Sequence, residues 1–218
     1  PEIPQDCEDI DAWVNESVDS SLKRLKISKL KGLLLHRPEQ LLGSQGDALY
    51  RALVSVQERG GTEKIGLSIY DPYELDAIWP CYQFDIVQAP FNILDRRLIL
   101  SGWLGRLRQA GTEVHVRSVF LQGLLLMDAT NRPKKFDRWQ SLWREWDRWL
   151  AEQDLTPLQA CLAFVIAQPE IDRVLVGVDS LQQLLEITAA YEKNARKFPR
   201  DLVSDDICLI NPTEWKNL

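Results

Sequence analysis

Few residues in this chain have both the type and the placement for chemistry. His36 stands at the end of the apolar run Leu33-Leu34-Leu35. On type and place alone, a histidine that ends a strand bonds a neighbouring backbone group. The other histidine, His115, alternates with Val114 and Val116 and reads as a satisfied residue on the outer face of a strand. Ser68 and Gln88 also close apolar runs, where a buried polar side chain needs a partner. Ser118 to Gly123 combines a hydroxyl, backbone amides and a glycine that permits close approach. That set suits a phosphate, and an ordinary strand-to-helix loop is the plain alternative. A helix opening at Ser180 offers the positive end of its dipole to an anion.

Composition narrows the classes. The 218 residues are 45% hydrophobic, as in ordinary globular chains, and carry a net charge of −6. No run approaches the ~20 apolar residues of a membrane span. The acidic balance, without a Lys/Arg block, argues against a nucleic-acid or anionic-membrane surface. The four cysteines (Cys7, Cys81, Cys161, Cys208) lie far apart with no CxxC pair. This predicts neither a zinc cage nor a disulfide framework, and a reducing, cytoplasmic compartment. No metal site is expected.

The elements that must position these groups alternate. Strands are expected at 30–36, 64–69, 85–89, 113–118 and 172–177. Helices are expected over 9–26, with Trp13, Val18, Leu22 and Leu25 on one side, and over 46–59, with Leu49, Leu53 and Val56 inward. Further helices are expected over 73–78, 98–109, 136–153 and 157–167, and from Ser180 to about Glu192. Strand–helix alternation of this kind means an α/β fold with a parallel sheet buried on both faces. About five such units suit either an open doubly wound sheet or most of a closed barrel whose first portion is absent. Trp139, Trp143, Trp146 and Trp149, spaced four, three and three, read as a helix face packed on the sheet. Asp137, Arg138, Arg144, Glu145, Asp147 and Arg148 form the solvated face opposite.

Six segments in order carry a resemblance: Ser21-Leu22-Lys23-Arg24-Leu25, Leu34-Leu35-His36-Arg37-Pro38, Ile65-Gly66-Leu67-Ser68, Val87-Gln88-Ala89-Pro90-Phe91-Asn92, the run from Arg117 to Leu124, and Val176-Gly177-Val178-Asp179-Ser180. From about Ser20 to Glu192 the chain resembles the aldo-keto reductase family. The resemblance implies a parallel (β/α)8 TIM barrel with its site at the C-terminal ends of the strands. It implies hydride transfer between NAD(P)H and a small carbonyl: an aldehyde, a ketone or a sugar-like compound. It also implies that the single domain 1–218 is the C-terminal part of such a barrel, about five βα units. The barrel is then incomplete here, and the family's tyrosine, lysine and aspartate precede Pro1. Of the catalytic groups only His36 maps, as a donor to the substrate oxygen where charge grows.

The same resemblance places Ser68 and Gln88 on the nicotinamide carboxamide and Arg117 against the nicotinamide face. It places Ser118, Phe120, Gln122 and Gly123 around the pyrophosphate, and Gly177, Asp179 and Gln183 beside the adenosine half. Three departures stand out: Ile69 and Ile187 each replace a family asparagine, and Asp179 stands where NADP-preferring relatives carry a base. A carboxylate there repels a 2′-phosphate and can accept from a ribose hydroxyl, which leans to NAD over NADP. The implied partners are a nicotinamide cofactor and a small carbonyl substrate; self-association stays open. The departures also keep a second reading, a non-catalytic regulatory or binding protein on the same barrel.

Overall fold

The computed structural model describes residues 3–4, 7–190 and 198–218. Its strands are β1 (Leu33–Leu35), β2 (Ile65–Ser68), β3 (Ile86–Pro90), β4 (Glu113–Arg117) and β5 (Arg173–Val174). The helices that accompany them are α1 (Ile10–Leu25), α2 (Gly46–Glu58), α3 (Glu74–Ile78), α4 (Arg97–Leu100) and α5 (Trp103–Gln109). They continue with α6 (Gln140–Gln153), α7 (Pro157–Ile166), α8 (Leu181–Ala189) and α9 (Ile207–Ile210). The chain packs as two compact units, one of Pro1–Ala89 with Trp103–Val114, the other of Pro90–Gly102 with His115–Leu218. No helix among the described residues is long and apolar enough to cross a membrane.

In the first unit β1, β2 and β3 run parallel, Leu35 opposite Leu67 and Ser68 opposite Gln88. All four residues of β2 are buried, as expected of a strand covered on both faces. Gly66 is the point of closest approach. A Cβ there would lie 2.5 Å from the Ile86 carbonyl oxygen and 2.8 Å from the Ile86 Cβ, so only glycine fits. Asp85 ties the sheet to α2, its carboxylate accepting from the Ile65 N–H and the Gln57 amide, both at 2.9 Å. α1 lies against α2 and is capped by Asp9, which accepts from the Ala12 N–H.

In the second unit β4 pairs in parallel with β5, His115 opposite Arg173 and Val116 opposite Val174. α7 opens with a capping box, the Thr156 hydroxyl accepting from the Gln159 N–H while the Gln159 side chain accepts from the Thr156 N–H. Aromatic rings fill the core: Phe91 stacks on Phe164 at 5.2 Å, Phe164 meets Phe198 edge-on, and Phe198 lies against Trp149. Arg96 straps the C-terminal segment down, donating to the carbonyls of Pro199 and Leu202 at 2.8 and 3.0 Å.

Several expectations change. The face α1 buries is Ile10, Val14 and Val18, at strict spacings of four, while Leu25 is exposed. The stretch 98–109 is two helices, interrupted at Ser101-Gly102, where Gly102 takes φ +78°. The apolar positions Leu98, Leu104 and Leu107 continue through the break, which is why periodicity reads it as one helix. Regular pairing in β1 covers three residues, with Leu30 bridging separately to Thr62, and β5 is only two residues long. Trp143, Trp146 and Trp149 are buried along α6, whereas Trp139 belongs to a preceding 3-10 turn and donates to Asp206 at 3.0 Å. Asp147 is not simply solvated, because it pairs with the buried guanidinium of Arg132. α8 ends at Ala189; the expected extension to Glu192 lies outside the described residues.

Candidate functional site

The loop after β4 has an unusual backbone. Ser118, Leu121, Gln122 and Gly123 all lie in the left-handed region, at φ +61°, +46°, +52° and +82°. For the three non-glycine residues this costs roughly 1–2 kcal/mol each, so it persists only where the surroundings enforce it. The loop folds on itself through Leu121 N–H to the Ser118 carbonyl and Leu125 N–H to the Phe120 carbonyl, at 2.9 and 3.3 Å. The N–H groups of Val119, Phe120, Gln122 and Gly123 have no acceptor among the described residues. Clustered N–H groups in such turns form an anion-binding concavity.

This loop is one wall of a cleft of about 680 Å³, the segment from Leu175 through α8 being the other. All eight second-unit residues singled out from the sequence line it: Arg117, Ser118, Phe120, Gln122, Gly123, Gly177, Asp179 and Gln183. The Arg117 guanidinium donates to the Ser118 hydroxyl at 3.3 Å. Ser180 caps α8 by accepting from the Gln183 N–H, and the Gln183 amide oxygen accepts in return from the Asp179 N–H at 2.7 Å. Gln183 therefore shapes this end of the cleft, its oxygen committed to the chain. Two carboxylates, Asp179 and Glu186, stand in this wall, and Ile187 beside them is apolar. Sequence reasoning missed Glu186 and Leu158. Glu186 had a signal, one helical turn beyond Gln183. Leu158 had none, because α7 meets the cleft only through tertiary packing.

His36 and Ser68 occupy the C-terminal ends of β1 and β2, whereas Gln88, expected at a strand end, is the middle residue of β3, which runs on to Pro90. His36 follows directly on Leu35 of β1, and Ser68 and Gln88 end the β2–β3 ladder opposite one another. The Ser68 hydroxyl donates to the Gln88 amide oxygen at 3.4 Å. His36 is exposed and lines a smaller cavity of about 350 Å³ with Tyr70 and Glu74, its ring 6.2 Å from that of Tyr70. Glu74 holds the segment after β2, accepting the Tyr70 and Asp71 N–H groups at 2.8 and 2.6 Å. Burial raises its carboxyl above the usual range, against the lowering effect of those two bonds. Ile69 is fully buried, so its side chain packs in the core where the family's asparagine would offer a polar group. His115 is half-buried on β4 between buried Val114 and Val116 and lines neither cavity.

Parallel strand–helix alternation defines a protein of the α/β class. The model of the aldo/keto reductase family matches residues 5–200, and the chain belongs to that family. Among solved structures it is similar to the aldo-keto reductase AKR11C1 from Bacillus halodurans. The apo form gives 21% identity and a TM-score of 0.67, over 88% of this chain and 66% of that one. The holo form gives 21% and 0.66, over 86% and 64%. A candidate aldo-keto reductase from Pseudomonas aeruginosa gives 18% and 0.58, over 83% and 56%. At such identities the likeness is one of fold, and this chain spans less than two thirds of each of those proteins' length. No curated protein matches the sequence significantly.

Proposed function

We propose that this chain carries the cofactor-binding part of an NAD(P)H-dependent oxidoreductase of the aldo-keto reductase type, which reduces a small aldehyde, ketone or sugar-like carbonyl to an alcohol. The observation that carries the reading is that two segments far apart in sequence, 117–123 and 177–183, converge on one cleft beside a left-handed loop rich in uncommitted N–H groups. A dinucleotide fits the residues present. A Cβ built at Gly123 or Gly177 meets nothing within 4 Å, so backbone and open space face the cleft there. When bound, the nicotinamide supplies or accepts the hydride. The chain's own part is to hold it. The loop 118–123 takes the pyrophosphate on N–H groups and the Ser118 hydroxyl. Ser68 and Gln88 together offer a donor and an acceptor to a carboxamide. His36 is the group that donates to the carbonyl oxygen as negative charge builds on it.

Asp179 and Glu186 favour NAD over NADP, because two carboxylates in one wall repel a 2′-phosphate. The fold likeness supports reading the chain as about five units of a (β/α)8 barrel. On the same reading residues 1–218 are one domain, and the four free, scattered cysteines fit a reducing, cytoplasmic setting. Titration with NADH and NADPH, followed by nicotinamide fluorescence, tests the reading; saturable binding is expected, tighter for NADH. The second reading, a regulatory or binding protein on the same fold, draws on buried Ile69 and cleft-lining Ile187, which remove polar cofactor contacts. Absence of binding by either nucleotide would put that reading first.

A further inference from the structure

The strain in the cleft loop needs a holder, and the segment 90–95 supplies it. Asn92 is almost fully buried. Its side-chain oxygen is spent on its own turn, accepting from the N–H groups of Leu94 and Asp95 at 3.0 and 2.9 Å. Its backbone N–H closes the same turn on the Asp95 carbonyl at 3.1 Å. The side-chain nitrogen is thereby aimed outward from a rigid base, and it donates to the carbonyl of Ser118 at 3.1 Å. The preceding residue repeats the grip one position back, the Phe91 N–H donating to the Arg117 carbonyl at 3.0 Å. Asp95 anchors the base in turn, its buried carboxylate forked onto the Arg97 guanidinium with both bonds at 2.9 Å.

A peptide unit is planar and trans, so fixing one carbonyl fixes the N–H on the opposite side. The Ser118 carbonyl held by Asn92 shares its peptide with the Val119 N–H. That N–H has no acceptor among the described residues, and Val119 lines the cleft. Ser118 is also where the left-handed run begins, at φ +61°.

We propose that Asn92 is a positioning residue for dinucleotide binding: its side-chain amide clamps the strained Ser118–Val119 peptide so that the Val119 N–H is a preset donor to a phosphate of the ligand. This rests on the cofactor reading above. Preorganisation of this kind raises affinity because the ordering cost is met during folding and not on binding.

Asn92→Asp isolates the clamp. The carboxylate still accepts from Leu94 and Asp95, while an oxygen replaces the nitrogen that faced the Ser118 carbonyl. Calorimetric titration compares wild type and variant with ADP-ribose, which carries the pyrophosphate, and with adenosine, which does not. The expected result is a loss of about tenfold or more for ADP-ribose, with adenosine within about twofold. Amide exchange over 118–123 is expected to quicken in the variant, with exchange in α6 unchanged. Should the aspartate variant not fold, Asn92→Ser takes its place with the same expectation: its hydroxyl can close the turn and falls short of Ser118. Equal loss for both ligands, or unchanged ADP-ribose affinity in a wild type that binds it, overturns the clamp alone. A wild type that binds no ADP-ribose overturns the cofactor reading and this inference with it.

Discussion

Ser68 and Gln88 are register partners at the last rung of the β2–β3 ladder, and the serine hydroxyl donates to the glutamine amide oxygen at 3.4 Å. Parallel pairing puts the two side chains on the same side of the sheet, so the contact follows from strand order and not from loop conformation. The bond is long, and either group can exchange it for a ligand at little cost.

Ser68→Ala is therefore expected to weaken NADH binding about three- to tenfold, the worth of one hydrogen bond, while the fold loses less than about 1 kcal/mol. Fluorescence titration beside thermal unfolding separates the two effects. Unchanged affinity would remove Ser68 from the binding site.

The acidic wall of the cleft makes a separate prediction. In Asp179→Asn the repulsion of a 2′-phosphate falls while the Asp179 N–H bond to Gln183 is kept. The ratio of NADPH to NADH affinity should move about three- to tenfold toward NADPH. The shift should shrink in high salt, since Asp179 is exposed. A ratio that stays put would show that Asp179 does not face the ribose.

Gly66→Ala tests the packing of the first unit. The added methyl would lie 2.5 Å from the Ile86 carbonyl oxygen, and backbone cannot move aside as a flexible side chain can. A loss of about 1–3 kcal/mol is expected in urea unfolding. An alanine variant as stable as the parent would mean that the β2–β3 approach is looser than described.

Acid stability of the second unit should depend on Asp206. Its carboxylate accepts from Arg138, from the Trp139 indole and from the Cys208 N–H at the start of α9, each at 3.0 Å. The Arg138 hydrogen bond, foremost, holds its pKa below the ordinary carboxylate value. The unfolded chain then binds more protons than the folded one between the lowered and the ordinary value, and stability rises with pH across that window. The contribution is complete above the ordinary value and lost as pH falls through the lowered one. Asn caps helices about as well as Asp, so Asp206→Asn removes the charge and keeps the cap. Unfolding curves of the two proteins should differ near neutrality and converge in acid. A constant gap at every pH would assign the effect to packing.

Much of this was legible without coordinates because it is local. Apolar runs closed by Ser68 and His36 mark strands and their polar tips, whereas Gln88 falls inside β3. Thr156-Pro157 and Ser180 mark helix starts, and both residues accept the expected backbone N–H. The less legible features depend on distant partners. Val14, and not Trp13, is buried because α1 turns its Ile10–Val14–Val18 face inward. The helix break at Gly102 is set by backbone conformation, which the continuing apolar pattern hides.

From its residues alone the chain determined most of the elements, their order and several of the polar groups that end them, since these depend on neighbours a few positions away. Only the tertiary structure decided that residues 117–123, Leu158 and 175–187 close on one cleft. It alone decided that Asn92, 26 positions before Ser118, holds the carbonyl of that cleft's strained serine. The physical reason is that such contacts are selected by the packing of the whole unit: the motif that ends in Asn92 and the helix start before Leu158 are legible locally, but the groups those residues meet are not.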